Sequence, residues 1–461
     1  MQNKSRIKAI IINSSKVIAF FIMFCLVNMG LTFLLDDDAN DFFRLTFYEM
    51  YHQEDNIDVL FLGSSHCFRS LVSEELDVIY EKNTFNAGSS SQKLDASYVI
   101  LQEVGKNNEL EEVYLELYYG MALESEYSQR TELGSTYTVS NNLKESFDKA
   151  IFLIKASGSD YYPNSFLLPR RYIGNLQFGI MYDIIKKKSE SNYQNYEYIE
   201  VGTSVYIGQG FIGSENYIEN GIVFMEQENQ AIEDNIFKND YINSLFQIIE
   251  YCKENNIQLI LFSAPVTDFR LSNIEYDNYI EQVERLLQDT EIPYIDFNLC
   301  KEDFLNLEIK TDFYDEHHLN SSGAEKFSKA FAEIFANKND PHEAVQVEGA
   351  SNIYLPEEYF YSSYEEKFEN LEDALLGVII TSEDAVYQIQ SVMAGSVDTK
   401  YEIILENEVL AIKNDEYEKV IEELIFPVES DKFQLPEDYN GDIKLGITVD
   451  GEDIGRITIS K

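Results

Sequence analysis

The sequence predicts an α/β fold with a doubly wound parallel sheet, preceded by a transmembrane helix and followed by a C-terminal β-sandwich. Short apolar runs alternate with amphipathic stretches from residue 57 onward, as in such sheets. Residues 17–35 carry no charge, and beyond about residue 345 the apolar period becomes two. A chain of 461 residues, 44% of them hydrophobic, can bury the cores of two to three domains.

The uncharged N-terminal stretch has the length of a membrane anchor. Its 19 residues would form roughly 28 Å of helix, about one bilayer core. Basic residues precede it and acidic residues follow it, so residues 1–16 are expected in the cytoplasm and the bulk outside. A cleaved signal peptide is the alternative, although no convincing cleavage site follows Leu35. The flanking charges are Lys4, Arg6, Lys8 and Lys16 before the stretch and Asp36, Asp37, Asp38 and Asp41 after it.

Residues 55–337 carry the strand and helix signals of the α/β domain. The run LILFSAP is continuously apolar, which is typical of a parallel strand buried on both faces. Helices are predicted between the strands because apolar residues recur at helical spacing. The predicted strands are VLFL (59–62), TFNAG (84–88), VYLEL (113–117), LILFSAP (259–265) and PYIDF (293–297), and the predicted helices cover about 73–80, 94–101, 242–249, 273–289 and 322–336.

Two regions break this alternation. Residues 121–237 are too long for a connection between strands, so they are expected to be an insertion over the carboxyl edge of the sheet. A polar stretch, NKNDPHEA (337–344), ends the α/β domain, and residues 345–461 are expected to form the β-rich domain. Its strand signals are YQIQSV, YEIILENEVLAI, DIKLGITVDG and IGRITIS, the last two joined as a hairpin by VDGEDIG.

Composition excludes some function classes. The formal charge is −47, from 82 acidic and 35 basic residues, and such a field repels nucleic acid. The four cysteines show no zinc or disulfide pattern. Gly208, Gly210 and Gly213 form a G-x-G-x-x-G pattern, but no helical stripe follows it, which favours a turn over a dinucleotide loop. No cofactor or metal is expected.

Two polar turns suggest a serine nucleophile with its base. Gly63-Ser64-Ser65-His66 follows the first strand, where a helix N-terminus can stabilise an anion. Asp315 and His318, three residues apart, follow the last strand and can pair as orienting acid and general base. In a parallel sheet both turns lie at one edge and can converge. Each turn alone is also compatible with a purely structural role.

These blocks resemble the SGNH (GDSL-type) hydrolases, a superfamily with a flavodoxin-like sheet. The resemblance implies that Ser65 is the nucleophile, with Ser64 where the family has an aspartate, and that Asp315 and His318 complete the triad. Asn86-Ala87-Gly88 matches the second block, so Gly88 and the Ser65 amide are the expected oxyanion donors. The Gly-Ser-Ser variant with an N-terminal anchor resembles the membrane-tethered branch, which includes the teichoic acid D-alanylation and alginate O-acetylation proteins.

One departure concerns the third family block. VYLELYYG lacks the asparagine that completes the oxyanion hole in the family, and His66, next to the nucleophile, is the candidate replacement. Glu116 at the end of this strand has two open roles, in catalysis or at a helix N-terminus. Cys67 lies two residues after Ser65, and a thiol there would need a base of its own.

The sequence therefore predicts an extracytoplasmic, membrane-anchored serine esterase or O-acyltransferase. The resemblance implies an acylated surface polysaccharide or teichoic acid as substrate and a membrane-bound O-acyltransferase as partner. The lipid bilayer is the expected partner of the N-terminal helix. The alternative is a non-catalytic surface protein that keeps the fold for binding or scaffolding.

Overall fold

The structure is a computed structural model that describes residues 2–120, 129–218, 221–225, 232, 234–336, 352–383, 386–413, 416–428, 432–435 and 443–459. The helices described are α1 (Gln2–Leu35), α2 (Phe42–His52), α3 (Ser65–Phe68), α4 (Ser73–Tyr80), α5 (Leu94–Val104), α6 (Gln129–Asn142), α7 (Phe147–Ser157), α8 (Tyr162–Phe166), α9 (Leu168–Arg171), α10 (Phe178–Lys188), α11 (Ser191–Gln194), α12 (Asn239–Glu254), α13 (Asp268–Ser272), α14 (Tyr276–Leu287), α15 (Glu302–Leu305), α16 (Ile309–Asp312), α17 (Ser321–Ala336) and α18 (Tyr364–Asn370).

The strands described are β1 (Val59–Leu62), β2 (Thr84–Asn86), β3 (Glu112–Glu116), β4 (Glu200–Val201), β5 (Ser204–Gly208), β6 (Phe211–Ser214), β7 (Val223–Met225), β8 (Gln258–Ser263), β9 (Tyr294–Asp296), β10 (Ala374–Glu383), β11 (Val386–Ala394), β12 (Thr399–Lys413), β13 (Glu416–Pro427), β14 (Lys432–Gln434), β15 (Ile443–Val449) and β16 (Glu452–Ile459).

Helix α1 contains the predicted apolar span. Within it, Ile12–Leu35 is long and apolar enough to cross a membrane, with a mean hydropathy of 2.4. Most of its large apolar side chains are exposed, with Leu35 the buried exception, whereas a helix in the core of a soluble protein buries them. After the acidic residues that follow Leu35, the Asp41 side chain accepts a hydrogen bond from the Phe43 amide and caps α2.

The predicted strands of the α/β domain form one five-stranded sheet in the order β2-β1-β3-β8-β9. Its neighbouring strands all run parallel, so the predicted parallel sheet is confirmed. All four residues of β1 are fully buried, which means that both faces of the sheet are covered. That burial explains why VLFL and LILFSAP read as continuous apolar runs rather than alternating ones.

The last helix of this domain, α17, seals one face of the sheet. Its Phe331 ring packs against Phe61 of β1, Tyr114 of β3 and Phe262 of β8, with ring centroids 6.0, 5.2 and 5.3 Å away. Phe61 and Tyr114 are register partners, so they point to the same side of the sheet. The helix that begins directly after the Asp315–His318 turn is therefore anchored across three strands, which fixes the position of that turn.

The insertion forms helices α6 to α11 and a small antiparallel sheet of β4, β5 and β6. The glycine-rich pattern lies in the β5–β6 hairpin, as the turn interpretation expects. There the Gln209 carbonyl accepts the Asn86 amide at 3.0 Å. A Cβ at Gly210, where φ is +82°, would meet the Asn86 carbonyl oxygen at 1.7 Å, so only glycine permits this approach. The hairpin thus supports the second block of the site.

The C-terminal region contains two four-stranded sheets, in the orders β14-β11-β10-β7 and β13-β12-β15-β16. All of these pairings are antiparallel except β7 with β10, and β7 comes from the insertion. The predicted hairpin joins β15 and β16. The sheets share one apolar core, formed by Val378, Ile380 and Ile389 from one and Ile403, Leu445 and Ile447 from the other.

The segment between the two regions packs on the α/β domain. The Asn352 carbonyl accepts the Tyr294 amide at 2.8 Å, and the Lys301 amide donates to the Tyr359 carbonyl at 2.9 Å. Ile353 therefore forms an isolated parallel bridge with Tyr294 of β9, and Phe360 forms an antiparallel one with Cys300. The strands of the C-terminal region follow from Ala374 onward. The predicted polar boundary, residues 337–344, lies outside the described residues.

Candidate active site

The turn after β1 presents Ser65 at the carboxyl end of the sheet. Gly63 adopts a φ of +155°, and a Cβ there would lie 2.5 Å from the Glu116 Cβ on the neighbouring strand. Only glycine fits this close approach. Ser64 then caps α3 by accepting the His66 amide, and Ser65 is the first helical residue. At the first helical position a backbone amide has no intrahelical acceptor, so the Ser65 N–H is available to an oxyanion.

The structure brings Ser65, His318 and Asp315 into one hydrogen-bonded chain. The His318 Nε2 atom lies 2.8 Å from Ser65 Oγ, although 253 residues separate the two in sequence. Its Nδ1 atom lies 2.8 and 3.0 Å from the two carboxylate oxygens of Asp315. The His318 side chain is 19% exposed and that of Asp315 33%. This chain of contacts is accessible from solvent and is the arrangement of a nucleophile, a base and an orienting acid.

The Asp315 carboxylate is held by more than the imidazole. Its Oδ1 atom also accepts the backbone amides of His317 and His318, each at 2.8 Å. Burial acts to raise the Asp315 pKa, but the hydrogen bonds from the His318 ring and the His317 amide act against it, and the pKa is lowered. An ionised Asp315 keeps the proton of His318 on Nδ1, which leaves Nε2 free to accept the Ser65 proton.

Glu116 binds the residue before the nucleophile. Its Oε2 atom accepts the Ser64 amide at 2.8 Å and the Ser64 hydroxyl at 2.9 Å. Burial raises the Glu116 pKa to about 7, although both hydrogen bonds from Ser64 lower it. Of the two roles that the sequence left open, this geometry supports the structural one, because Glu116 orients the turn beneath Ser65 and contacts Ser64 rather than the nucleophile.

His66 lies buried against the triad. Its ring stacks on Tyr118 at a centroid distance of 3.7 Å and on His318 at 4.8 Å. Burial lowers its pKa well below the ordinary value, and His318 and His317 act in the same direction. His66 is therefore a neutral imidazole. Its Nδ1 atom is buried and has no hydrogen-bond partner among the described residues. The role of His66 as an oxyanion donor stays a prediction.

The second block is bound tightly to the nucleophile turn. The Asn86 side chain donates to the carbonyls of Cys67 and Leu71. Its Oδ1 atom accepts the Gly88 amide at 3.1 Å. An oxyanion would therefore have to share or replace this bond, and Gly88 stays a predicted donor. The Cys67 thiol also donates to Asn86, and burial raises its pKa well above the ordinary value, which makes it a packing residue rather than a nucleophile.

Residues that the sequence argument gave no role surround the triad. The Tyr118 hydroxyl lies 2.7 Å from His317 Nδ1. Burial lowers the His317 pKa to about 3, and the neighbouring Arg270 and His318 act in the same direction. The Arg69 guanidinium lies 4.5 Å from the centroid of the Tyr314 ring. It also donates a hydrogen bond to Ser204 Oγ at 2.8 Å. Its spacing of four residues from Ser65, one helical turn, is the signal that could have identified it.

Within the described ranges no group of three or more His, Cys, Asp or Glu side chains is placed to hold a metal ion. No protein-family model matches the chain, and no curated protein matches its sequence.

Proposed function

We propose that this chain is an extracytoplasmic, membrane-anchored serine esterase or O-acyltransferase of the SGNH type. The observation that carries the proposal is the Ser65–His318–Asp315 chain. Its hydrogen bonds from His318 Nε2 to Ser65 Oγ and from His318 Nδ1 to Asp315 Oδ1 are both 2.8 Å long. The strand order 2-1-3-8-9 of the parallel sheet supports a doubly wound, flavodoxin-like assignment. The shared core of the two C-terminal sheets supports the assignment of that region as a β-sandwich.

The chemistry is acyl transfer through a covalent intermediate. Ser65 Oγ attacks the carbonyl carbon of an ester while His318 Nε2 takes the hydroxyl proton. The carbonyl electrons move to oxygen, which the Ser65 amide and the predicted donors Gly88 and His66 stabilise. When the C–O bond to the leaving alcohol breaks, His318 returns the proton to that alcohol. Water or a sugar hydroxyl then attacks the acyl-serine, with His318 again accepting and returning the proton.

The charges around α1 support the proposed orientation. Four basic residues precede residues 17–35 and four acidic residues follow them closely, and basic flanks stay in the cytoplasm. The residues after Leu35 would then lie outside the cell. An ester-modifying enzyme held there meets surface polymers, which is why we propose an acylated polysaccharide or teichoic acid as substrate and a membrane-bound O-acyltransferase as the source of acyl groups.

The local charge of the site favours an anionic or neutral polymer more than the net charge of −47 suggests. Arg69 interacts electrostatically with Asp315, and Arg270 acts on His317 and His66. Both guanidinium groups therefore contribute to the electrostatic potential around the triad. Because exposed charges farther away than about 8 Å are largely screened at physiological salt, the distant acidic surface contributes little at the site, where Arg69 and Arg270 act beside the carboxylates of Asp315 and Glu316.

A fluorophosphonate probe tests the nucleophile directly. The full-length protein in detergent should form a covalent adduct, and Ser65→Ala should abolish it. Ser159→Ala is the matched control, because it removes an exposed serine hydroxyl of the insertion and leaves the nucleophile turn intact, and it should still label. Equal labelling of wild type and Ser65→Ala, or labelling of neither, would refute the proposal.

Transfer and hydrolysis are separated by the acyl content of the surface polymer in cells. Ser65→Ala should lower that content if the protein is a transferase and raise it if the protein removes acyl groups. An unchanged content with normal amounts of protein would remove the polymer from the proposal while leaving the labelling result intact.

A further inference from the structure

A segment of the insertion packs against the end of the apolar span. Residues 162–188 include α8, α9 and α10. The Asn175 side chain donates to the Leu35 carbonyl at 2.8 Å, and the Lys188 ammonium donates to the Phe33 carbonyl at 3.2 Å. These bonds hold the segment beside the last residues of α1. If α1 crosses the bilayer, the segment lies at the level of the lipid headgroups.

This segment exposes large apolar side chains that nothing in the described chain covers. Phe178 is 88% exposed, Ile173 63% and Leu176 55%. Single exposed apolar residues are ordinary on a protein surface, whereas several large ones close together in one short segment are typical of an interaction site. We define the juxtamembrane face as the exposed large apolar side chains of residues 166–178: Phe166, Leu167, Ile173, Leu176 and Phe178.

The charge of the segment is opposite to that of the protein. Residues 162–188 contain five basic residues and one acidic residue, Asp183, in a chain of formal charge −47. Lys187 and Lys188 pair with Asp37 and Asp38 at 2.7 and 2.8 Å, which holds α10 against the end of α1. Arg170 and Lys186 lie on the exposed surface. Apolar side chains accompanied by basic ones are the composition of a helix that lies in a membrane interface.

We propose that the juxtamembrane face inserts into the outer leaflet of the bilayer crossed by α1, with Arg170 and Lys186 at the level of anionic headgroups. The continuity with α1 favours lipid over a protein partner. The uncharged residues 17–35 of this helix give roughly 28 Å at 1.5 Å each, which matches a hydrocarbon core of about 30 Å and ends it at Leu35. The end of α1, and the face bonded to it, therefore emerge at the lipid–water boundary.

This second attachment would restrict how the catalytic domain tilts. A domain attached by a single helix can change its orientation relative to the membrane. A domain attached by a helix and an inserted face keeps one orientation. The proposal rests on the membrane-spanning role of α1 and is independent of the chemistry at Ser65.

The test uses full-length protein in vesicles of phosphatidylcholine and phosphatidylglycerol, with an environment-sensitive nitrobenzoxadiazole label on one cysteine. Cys25 is exposed on α1 and the other three cysteines are buried, so Cys25→Ser supplies the background. The label is placed at Phe178→Cys, and at Val78→Cys as the matched control, since Val78 is 79% exposed on α4. Quenching is measured with a doxyl-labelled lipid and, separately, with aqueous iodide.

The label at position 178 should be quenched several-fold more by doxyl lipid than the label at 78, and it should be protected from iodide. Equal behaviour at the two positions would overturn the proposal. Protection of position 178 from both reagents would also overturn it, because a second copy of the chain would then cover the face. A label on the native Cys25 separates the causes of failure: without lipid quenching there, the anchor itself is wrong, and fluorophosphonate labelling of Ser65 reports on the proposed activity independently.

Discussion

The buried carboxyl of Glu116 predicts a specific pH dependence of stability. Its Oε2 atom accepts two hydrogen bonds from Ser64, and its Oε1 atom is buried with no partner among the described residues. Glu116→Gln preserves the shape of the side chain and an oxygen for Ser64, but it removes the ionisable proton. The substitution therefore isolates the free energy of ionising this group inside the protein.

The magnitude follows from the pKa of Glu116. Burial raises it from 4.5 to about 7, so the folded state binds this proton more tightly than the unfolded state does. The wild type therefore loses stability as the pH rises from about 4.5 to about 7, a loss of about 3 kcal/mol when complete. Glutamine has no such proton, so the Glu116→Gln variant does not undergo this loss. The difference in the free energy of unfolding, variant minus wild type, should therefore increase by about 3 kcal/mol across the same pH window.

Urea denaturation of the detergent-solubilised full-length protein, followed by circular dichroism at a series of pH values, measures this difference. The free energy of unfolding is obtained from the midpoint and the slope of each transition. Glu109→Gln serves as the control because Glu109 is exposed, and its difference from wild type should stay constant. Parallel pH profiles for Glu116→Gln and wild type would refute the argument, since they would mean that Glu116 does not ionise against burial.

Three other substitutions test the turn and the triad, and a fourth, Gly134→Ala, is the control for Gly63→Ala. Asp315→Asn should lower kcat for ester cleavage by about 10³- to 10⁴-fold, because asparagine no longer holds the His318 proton on Nδ1; a loss below about tenfold would contradict the role of Asp315. Gly63→Ala, whose Cβ would lie 2.5 Å from the Glu116 Cβ, should lower the free energy of unfolding by about 1–3 kcal/mol. Gly134→Ala, in α6 with open space around the added Cβ, should raise it by about 0.5–1 kcal/mol in the same denaturation experiment. Tyr118→Phe removes the hydroxyl bonded to His317 and should cost about 1 kcal/mol of stability, with fluorophosphonate labelling of Ser65 retained; loss of labelling in folded protein would instead place Tyr118 in the reaction.

The strands and helices of the α/β domain could be predicted because their signals are local. VLFL and LILFSAP are continuously apolar because both faces of the sheet are covered, and the predicted helix 322–336 is observed as Ser321–Ala336. The pairing of Asp315 with His318 could also be predicted, since three residues on a turn bring the two side chains together. The predicted helix at 273–289 is shorter in the structure, at Tyr276–Leu287, because helix ends depend on caps and packing as well as on periodicity.

Other features depend on contacts that no local pattern records. The hydrogen bonds of Glu116 with Ser64 and of Tyr118 with His317 join different turns at one edge of the sheet. Strand β7 belongs to the insertion by sequence, yet it pairs with β10 of the C-terminal region. A three-residue strand carries too weak a periodic signal to identify its partner, and the pairing follows from the way that the surrounding layers pack.

The amino-acid sequence by itself determined the apolar span, the order of the α/β elements and the local pair Asp315–His318, because these follow from the spacing of side chains along the chain. Only the tertiary structure decided that Ser65 meets His318 across 253 residues, that Glu116 supports the nucleophile turn, and that an exposed apolar face lies beside the end of α1. Local preferences act between neighbours in sequence. Contacts between distant residues are selected by strand register and by the burial of apolar faces between layers, which only the folded chain specifies.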